Sequence, residues 1–113
     1  MARKVLVVDD DPLVLDVTAQ MLEELGCEVV MTTNPHLALV LLAGNDFEIL
    51  ITDINMPDMS GYELAERATR ASEHLAVMLL SGRETDGHGF PMIRKPFLQE
   101  DLVRTMEQTI GLC

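Results

Sequence analysis

Short apolar segments alternate along this chain with segments of helical periodicity, and this alternation constrains the fold more than any other feature. The largely apolar segments cover residues 5–8, 27–31, 47–51, 76–80 and 92–94. Continuous runs rich in Val, Ile and Leu are typical of strands buried on both faces of a sheet. Strands that alternate with helices form a parallel sheet with right-handed crossovers and helices on both faces. The sequence therefore predicts an α/β fold on five parallel strands.

Helix start and stop residues separate the predicted strands. Asp11 before Pro12 is typical of an N-cap followed by proline at the first helical position, and Gly26 provides a stop. Asn34 before Pro35 marks the start of a second helix in the same way. The predicted helices cover residues 12–25, 36–43, 62–71 and, starting at 97 or 98, the stretch to 110.

Composition and charge exclude several classes of protein. A chain of 113 residues provides one ordinary core, and a net charge of −11 argues against nucleic-acid binding, which needs a basic surface. Cys27 and Cys113 lack metal-site or disulfide-scaffold spacing, so we expect a reducing, cytoplasmic compartment. No apolar run approaches the roughly 18 residues of a membrane span, and the run before Asp9 is too short for a signal peptide.

Polar side chains follow four of the five predicted strands, at the point where each strand ends. The carboxyl ends of parallel strands meet at one edge of the sheet, and ligands bind there in such folds. We therefore expect these side chains to lie close together. They are Asp9, Asp10 and Asp11 after the first strand, Asp53 after the third, Ser81 after the fourth and Lys95 after the fifth.

This set of side chains fits phosphoryl chemistry. Clustered carboxylates repel one another unless a cation neutralises them, and aspartate oxygens are ligands that suit Mg²⁺. An aspartate beside Mg²⁺ and a lysine has the surroundings of a phosphoryl acceptor, because its carboxylate attacks while the cations neutralise the phosphoryl oxygens. One aspartate after a strand is commonly only a helix cap, which is the role we expect for Asp11. The conjunction of the others favours a functional site.

The sequence resembles, over essentially its whole length, the receiver domain of two-component response regulators. The resemblance is carried by Val-Leu-Val-Val-Asp-Asp at 5–10, Thr-Asp-Ile-Asn-Met-Pro-Asp-Met-Ser-Gly at 52–61, Leu-Leu-Ser-Gly at 79–82 and Lys-Pro-Phe at 95–97. It implies a flavodoxin-like, doubly wound sheet with strand order 2-1-3-4-5 and a single receiver domain over residues 1–113. The sequence looks most similar to receivers of hybrid histidine kinases and to stand-alone receivers.

By this resemblance, Asp53 is the phosphoacceptor and the site binds Mg²⁺. Asp10 and Asp53 would ligate the ion directly, together with the backbone carbonyl of Asn55, while Asp9 would act mainly through water.

The resemblance also assigns the remaining site residues and the partner. Ser81 stands at the family's hydroxyl position and Lys95 at its lysine position, which is usually followed by a cis bond to proline. The phosphoryl donor would be a phosphohistidine of a sensor kinase or a histidine phosphotransfer protein. The chain would then be a signalling domain and not an enzyme, with slow loss of its own phosphoryl group. Its output would be protein contact or onward phosphotransfer, with no nucleic-acid or membrane partner.

Two features depart from the family pattern. Met92 stands where the family often has a switching Tyr or Phe, so that coupling by rotation of a ring is excluded at this position. The second departure is length, because Arg-Glu-Thr-Asp-Gly-His-Gly-Phe-Pro at 83–91 replaces the usual fourth helix of the family. Its glycines and closing proline predict a loop or at most one helical turn.

Two other interpretations remain open from the sequence. Asp9-Asp10-Asp11 after an apolar run also resembles the motif of haloacid-dehalogenase-type phosphatases, with Asp9 as nucleophile and Asp11 as acid/base. Alternatively, the chain is a pseudo-receiver that is never phosphorylated and serves only as a docking surface. Trapping of a phosphoryl group separates these readings, since the label would fall on Asp53, on Asp9 or on neither.

Overall fold

A computed structural model describes residues 3–110, and residues 1, 2 and 111–113, including Cys113, lie outside the described part. Five strands form one all-parallel sheet in the order β2-β1-β3-β4-β5, as predicted. The elements in chain order are β1 Lys4–Val8, α1 Pro12–Glu24, β2 Glu28–Thr32, α2 Pro35–Gly44, β3 Ile49–Asp53, α3 Gly61–Ala71, β4 Ala76–Ser81, β5 Met92–Arg94 and α4 Gln99–Ile110.

The predicted helix caps are present. The Asp11 carboxylate accepts a hydrogen bond from the backbone N–H of Leu13 at 3.0 Å, and Asn34 caps α2 in the same manner. Gly26 follows α1 with a φ of +89°, a left-handed conformation that glycine adopts without strain. The turn chemistry of the sequence therefore fixes where α1 and α2 begin and where α1 ends.

Three strands end further along the chain than predicted, and one of them is β4, which covers Ala76–Ser81 instead of 76–80. β2 covers Glu28–Thr32 instead of 27–31, and β3 covers Ile49–Asp53 instead of 47–51. Pairing with β1 sets this register, since Lys4 lies opposite Glu28 and Val5 opposite Ile49. The polar residues that end β3 stay in the ladder, because Thr52 pairs with both β1 and β4 and Asp53 pairs with Leu80 of β4.

Alternate residues of the strands enter two cores, one on each face of the sheet, as the two-residue period of a strand requires. The core against α2 and α3 contains Leu6, Val8, Leu50, Leu64, Ala65 and Leu79, all completely buried. The core against α1 and α4 contains Val5, Val7, Leu22, Ile51, Leu102 and Met106. Since α1 and α2 lie on opposite faces, the strand order reverses at β1 and opens a crevice between β1 and β3.

No helix forms between β4 and β5, where residues 82–91 make a loop, as the glycine-rich sequence predicts. Met92, which begins β5, is partly buried and packs against the core on the α2 and α3 face. Among the helices of residues 3–110, none is both long and apolar enough to cross a bilayer.

Candidate functional site

Three carboxylates converge at the carboxyl edge of the sheet. Asp9 follows β1 directly and Asp53 ends β3, and the two strands are neighbours with Val8 opposite Thr52. Asp9, Asp10 and Asp53 each place a carboxylate oxygen within 4.8 Å of the other two. Asp9 and Asp53 are buried, whereas Asp10 is exposed, so the cluster opens to solvent on the side of Asp10.

Lys95 joins two of these carboxylates. Its Nζ lies 2.9 Å from Asp9 Oδ2 and donates a hydrogen bond to Asp53 Oδ1 at 3.0 Å. The Lys95–Pro96 peptide is cis, as expected from the resemblance, and the backbone N–H of Lys95 donates to the Ser81 carbonyl at 2.7 Å. The lysine is therefore held across the edge of the sheet and reaches the ends of β1 and β3.

Burial and charge together set the protonation of Asp53 and Lys95. Burial raises the pKa of Asp53 to about 6, although the hydrogen bond from Lys95 opposes this shift and the negative charge of Asp9 adds to it. Burial alone would lower the pKa of Lys95, but the interactions with Asp9 and Asp53 outweigh it and raise that pKa. Lys95 is consequently a fixed positive charge, and Asp53 is mainly ionised at neutral pH.

Asp9 has one carboxylate oxygen with no aligned hydrogen bond. Its Oδ1 accepts from the backbone N–H of Asp11 at 2.9 Å. Its Oδ2 is buried and attracted by the charge of Lys95, yet it accepts no well-oriented hydrogen bond from any residue that the structure describes. A buried oxygen with spare lone pairs, beside two further carboxylates, fits a divalent cation with oxygen ligands. Asp9, Asp10 and Asp53 could therefore hold Mg²⁺.

The loop after β3 turns back and packs closely against the end of that strand. A Cβ at Gly61 would lie only 2.1 Å from the Asp53 carbonyl oxygen, so only glycine fits there. The backbone N–H of Gly61 donates to the Ile54 carbonyl at 2.8 Å, and Asp58 has a φ of +71° in the turn between them. The 52–61 motif thus folds into a tight turn that fixes the backbone of Asp53.

Ser81 lies at the edge with the acidic residues, but its hydroxyl is engaged elsewhere. The side chain is buried at the end of β4, and its Oγ donates to the Glu84 carbonyl at 2.5 Å. The Glu84 carboxylate accepts from the Asn55 side-chain amide and from the backbone N–H groups of Gly82 and Arg83, at 3.3 and 3.4 Å. Glu84 is not predicted as a site residue, because nothing in a loop sequence indicates which distant residue a carboxylate will contact.

Tyr62 attaches the same loop to α3. Its hydroxyl donates to the Asp86 carbonyl at 2.5 Å, and its ring stacks on His88 with 3.7 Å between centroids. Burial, with the charges of Glu84 and Asp86, raises the pKa of Tyr62. The helix-free connection is therefore anchored at two points, at Glu84 and at Asp86.

An apolar groove adjoins the acidic cluster. It has a volume of about 470 Å³ and lies between α1 and the segment after β5. Leu13 and Val17 of α1 are 75% and 50% exposed there, and Lys95 forms part of the same wall. The groove is thus continuous with the residues that surround Asp53. Its lining residues are Leu13, Val14, Val17, Thr18, Lys95, Pro96 and Phe97.

Comparison with known proteins identifies related sequences across nearly the whole chain. Residues 5–107 match the family model of the response regulator receiver domain. The chain is 31% identical over 116 aligned positions to the response regulator receiver protein CpdR of Brucella abortus, covering 96% of this chain and 97% of CpdR. It is 30% identical to the DNA-binding transcriptional regulator NtrC of Azospirillum brasilense, covering 97% of this chain. The chain spans only 24% of the length of NtrC.

Solved structures share the fold. Vibrio cholerae chemotaxis protein CheY4 superposes with a TM-score of 0.88 at 26% identity, covering 97% of this chain and 100% of CheY4. The receiver domain of sensor histidine kinase PA1611 from Pseudomonas aeruginosa superposes with a TM-score of 0.85 at 24% identity, covering 98% of this chain and 99% of that domain. The PA1611 structure contains a magnesium ion coordinated in its active-site cleft.

Proposed function

Because this chain belongs to the response regulator receiver domain family, we propose that it is a phosphorylation-controlled signalling domain with Asp53 as its phosphoacceptor. The proposal rests on the surroundings of the Asp53 carboxylate. Lys95 Nζ lies 3.0 Å from its Oδ1, and the carboxylates of Asp9 and Asp10 each place an oxygen within 4.8 Å of it. A nucleophilic carboxylate that faces a fixed cation is the arrangement that transfer of a phosphoryl group to aspartate requires.

The transfer needs Asp53 ionised. One oxygen of its carboxylate attacks the phosphorus of a phosphohistidine, a P–O bond forms, and the P–N bond breaks. The electron pair of that bond stays on the imidazole nitrogen, which takes a proton from solvent. Lys95 Nζ, already bonded to Asp53 Oδ1, neutralises a phosphoryl oxygen. The Ser81 hydroxyl donates to another oxygen once it has left the Glu84 carbonyl.

Mg²⁺ is the cofactor that these residues fit. Asp10, Asp53 and the backbone carbonyl of Asn55 would hold it, with Asp9 acting through water. When bound, it neutralises negative charge on the phosphoryl oxygens. The magnesium ion in the PA1611 receiver domain supports this choice of metal.

The partner is a histidine kinase or a histidine phosphotransfer protein. We assign the apolar groove beside Lys95 to the donor protein, whose phosphohistidine must reach Asp53 while an apolar helical surface covers Leu13 and Val17. Residues 1–113 would act as one receiver domain in the cytoplasm. Its output would be contact with a target protein or onward phosphotransfer, with no nucleic-acid or membrane partner.

Incubation with acetyl phosphate and Mg²⁺ tests the acceptor. Intact-mass spectrometry of the native chain should show the addition of one phosphoryl group. The Asp53→Asn variant should show none, because the amide is nearly isosteric but is not a nucleophile. Asp58→Asn, in the exposed turn after Asp53, is the matched control and should be labelled as the native chain is. Full labelling of Asp53→Asn would refute the assignment.

The phosphatase interpretation finds no support in the geometry. Asp11, its acid/base candidate, caps α1 through a 3.0 Å hydrogen bond from the Leu13 N–H. Asp9, its nucleophile candidate, is completely buried, which leaves a phosphoryl donor no open approach to it. The pseudo-receiver interpretation makes the opposite prediction in the labelling experiment, namely that the native chain is not modified by any small phosphodonor.

A further inference from the structure

Glu84 contacts three parts of the proposed phosphorylation site. Its carboxylate accepts from Asn55 and from the backbone of residues 82 and 83, and its carbonyl accepts from Ser81. We propose that Glu84 is a positioning residue that holds the site in its unphosphorylated arrangement by occupying hydrogen-bond donors that a phosphoryl group on Asp53 would use. The inference rests on the proposed function, because it concerns the response of that same site to a phosphoryl group. It would make release of Glu84 a required part of activation.

The single proton of the Ser81 hydroxyl is already engaged in a hydrogen bond. Ser81 is 1% exposed, and its hydroxyl donates to the Glu84 carbonyl at 2.5 Å. Ser81 ends β4 beside the end of β3, where Leu80 lies opposite Asp53. A hydroxyl has one hydrogen to donate, so Ser81 can serve the Glu84 carbonyl or a phosphoryl oxygen but not both.

The Glu84 carboxylate is held by hydrogen-bond donors from two segments of the chain. One oxygen accepts long hydrogen bonds from the backbone N–H groups of Gly82 and Arg83, and the other accepts from the Asn55 side-chain amide. Hydrogen bonds from backbone N–H groups, chiefly that of Glu84 itself and then those of Arg83 and Gly82, lower the pKa of the Glu84 carboxyl. Two donor segments, after β3 and after β4, thus already face a bound negative charge.

The loop can release Glu84 without detaching from the rest of the fold. Glu84 is partly exposed, and the loop remains attached through the Tyr62 hydroxyl, which donates to the Asp86 carbonyl at 2.5 Å. Glu84 can therefore leave Ser81, Gly82 and Asn55 while the loop stays in place two residues further along. A full helix between β4 and β5 would have tied this backbone into its own hydrogen bonds, and here that helix is absent.

Titration with beryllofluoride, an analogue of the phosphoryl group, at saturating Mg²⁺ tests the proposal. Glu84→Ala removes the carboxylate and should bind beryllofluoride about tenfold more tightly than the native chain. The reason is that the Glu84 carboxylate no longer competes with beryllofluoride for the same hydrogen-bond donors. Glu84→Gln keeps an acceptor oxygen and should fall between the two. Asp86→Asn removes one negative charge from the same loop but leaves the Glu84 contacts intact, and it should stay within about twofold of native.

Amide hydrogen exchange of the free protein gives a readout that needs no phosphoryl group. The Gly82 and Arg83 amides should exchange faster in Glu84→Ala than in the native chain and be unchanged in Asp86→Asn. Equal beryllofluoride affinity of Glu84→Ala and Asp86→Asn would overturn the role of Glu84 and leave the proposed function standing, as would unchanged exchange in Glu84→Ala. Failure of the native chain and every variant to bind beryllofluoride would overturn the proposed function and this role with it.

Discussion

Asp53 is a buried carboxylate whose negative charge destabilises the folded state but is needed for its proposed role as a nucleophile. Burial raises its pKa to about 6, so the folded protein releases the proton less readily than the unfolded chain, whose ordinary value is 3.8. Lys95 compensates only in part. The site therefore keeps an ionised Asp53 carboxylate beside Lys95, although burying this charge destabilises the folded protein when no ligand is bound.

The pH dependence of stability follows from this shift. Well below pH 3.8 the Asp53 carboxyl is protonated in both folded and unfolded chains, and well above pH 6 it is ionised in both and carries the full cost of burial. In metal-free buffer, Asp53→Asn should therefore be more stable than the native chain at pH 7.5, by on the order of 2 kcal/mol. The gain should shrink as the pH falls to 5, because the native carboxyl then takes up its proton. Thermal melts at both pH values measure the difference, and a gain that is larger at pH 5 would contradict the account.

Among the strands and loops, the side chains that meet at the ends of the strands could be predicted from the sequence, but the contacts made by the loops could not. Asp9, Asp53, Ser81 and Lys95 each follow an apolar run, and parallel strands bring their carboxyl ends to one edge whatever the loops do. The bond between Asn55 and Glu84 joins residues 29 positions apart, and it depends on the path of a connection that has no helix. The stacking of Tyr62 on His88 escaped prediction for the same reason.

α1 provides a test of the groove assigned to the phosphodonor. Val17→Glu places a charge on a half-exposed position of the groove, and it should slow phosphotransfer from a phosphorylated histidine phosphotransfer protein at least fivefold, by about 1 kcal/mol or more. Labelling by acetyl phosphate should not change, because a small donor needs no protein contact. Val40→Glu makes the same substitution at an exposed position of α2, on the other face of the sheet, and serves as the control. If both donors are slowed equally by Val17→Glu, the groove is not the donor surface.

At the scale of the whole molecule, an acidic chain concentrates negative charge at one edge of its sheet. The sequence has 19 acidic and 8 basic residues, and three of the acidic groups meet where the strand order reverses between β1 and β3. Two apolar cores hold this edge in place from opposite faces, so the carboxylates cannot separate to relieve their repulsion. A divalent cation should therefore stabilise the fold as a whole.

Mg²⁺ should raise the melting temperature of the native chain. By mass action, binding to the folded state adds about 2.7 kcal/mol of stability at a hundredfold excess over the dissociation constant. Asp10→Ala should lose this gain. Asp11→Ala is the matched control, since it removes a neighbouring carboxylate that caps α1 and should lower stability without reducing the shift by Mg²⁺. An equal shift in Asp10→Ala, or no shift in the native chain, would remove the metal from the proposal.

The position of the phosphoryl group on the chain distinguishes Asp53 from the other candidate acceptors. Reduction of the phosphorylated chain with borohydride converts an aspartyl phosphate into homoserine, and tandem mass spectrometry of its peptides then identifies the residue. Because Asp9 is completely buried and Asp11 caps a helix, homoserine is expected at position 53 alone. Homoserine at position 9 would indicate the phosphatase arrangement, and an unmodified Asp53 in a chain that carries label elsewhere would contradict the account.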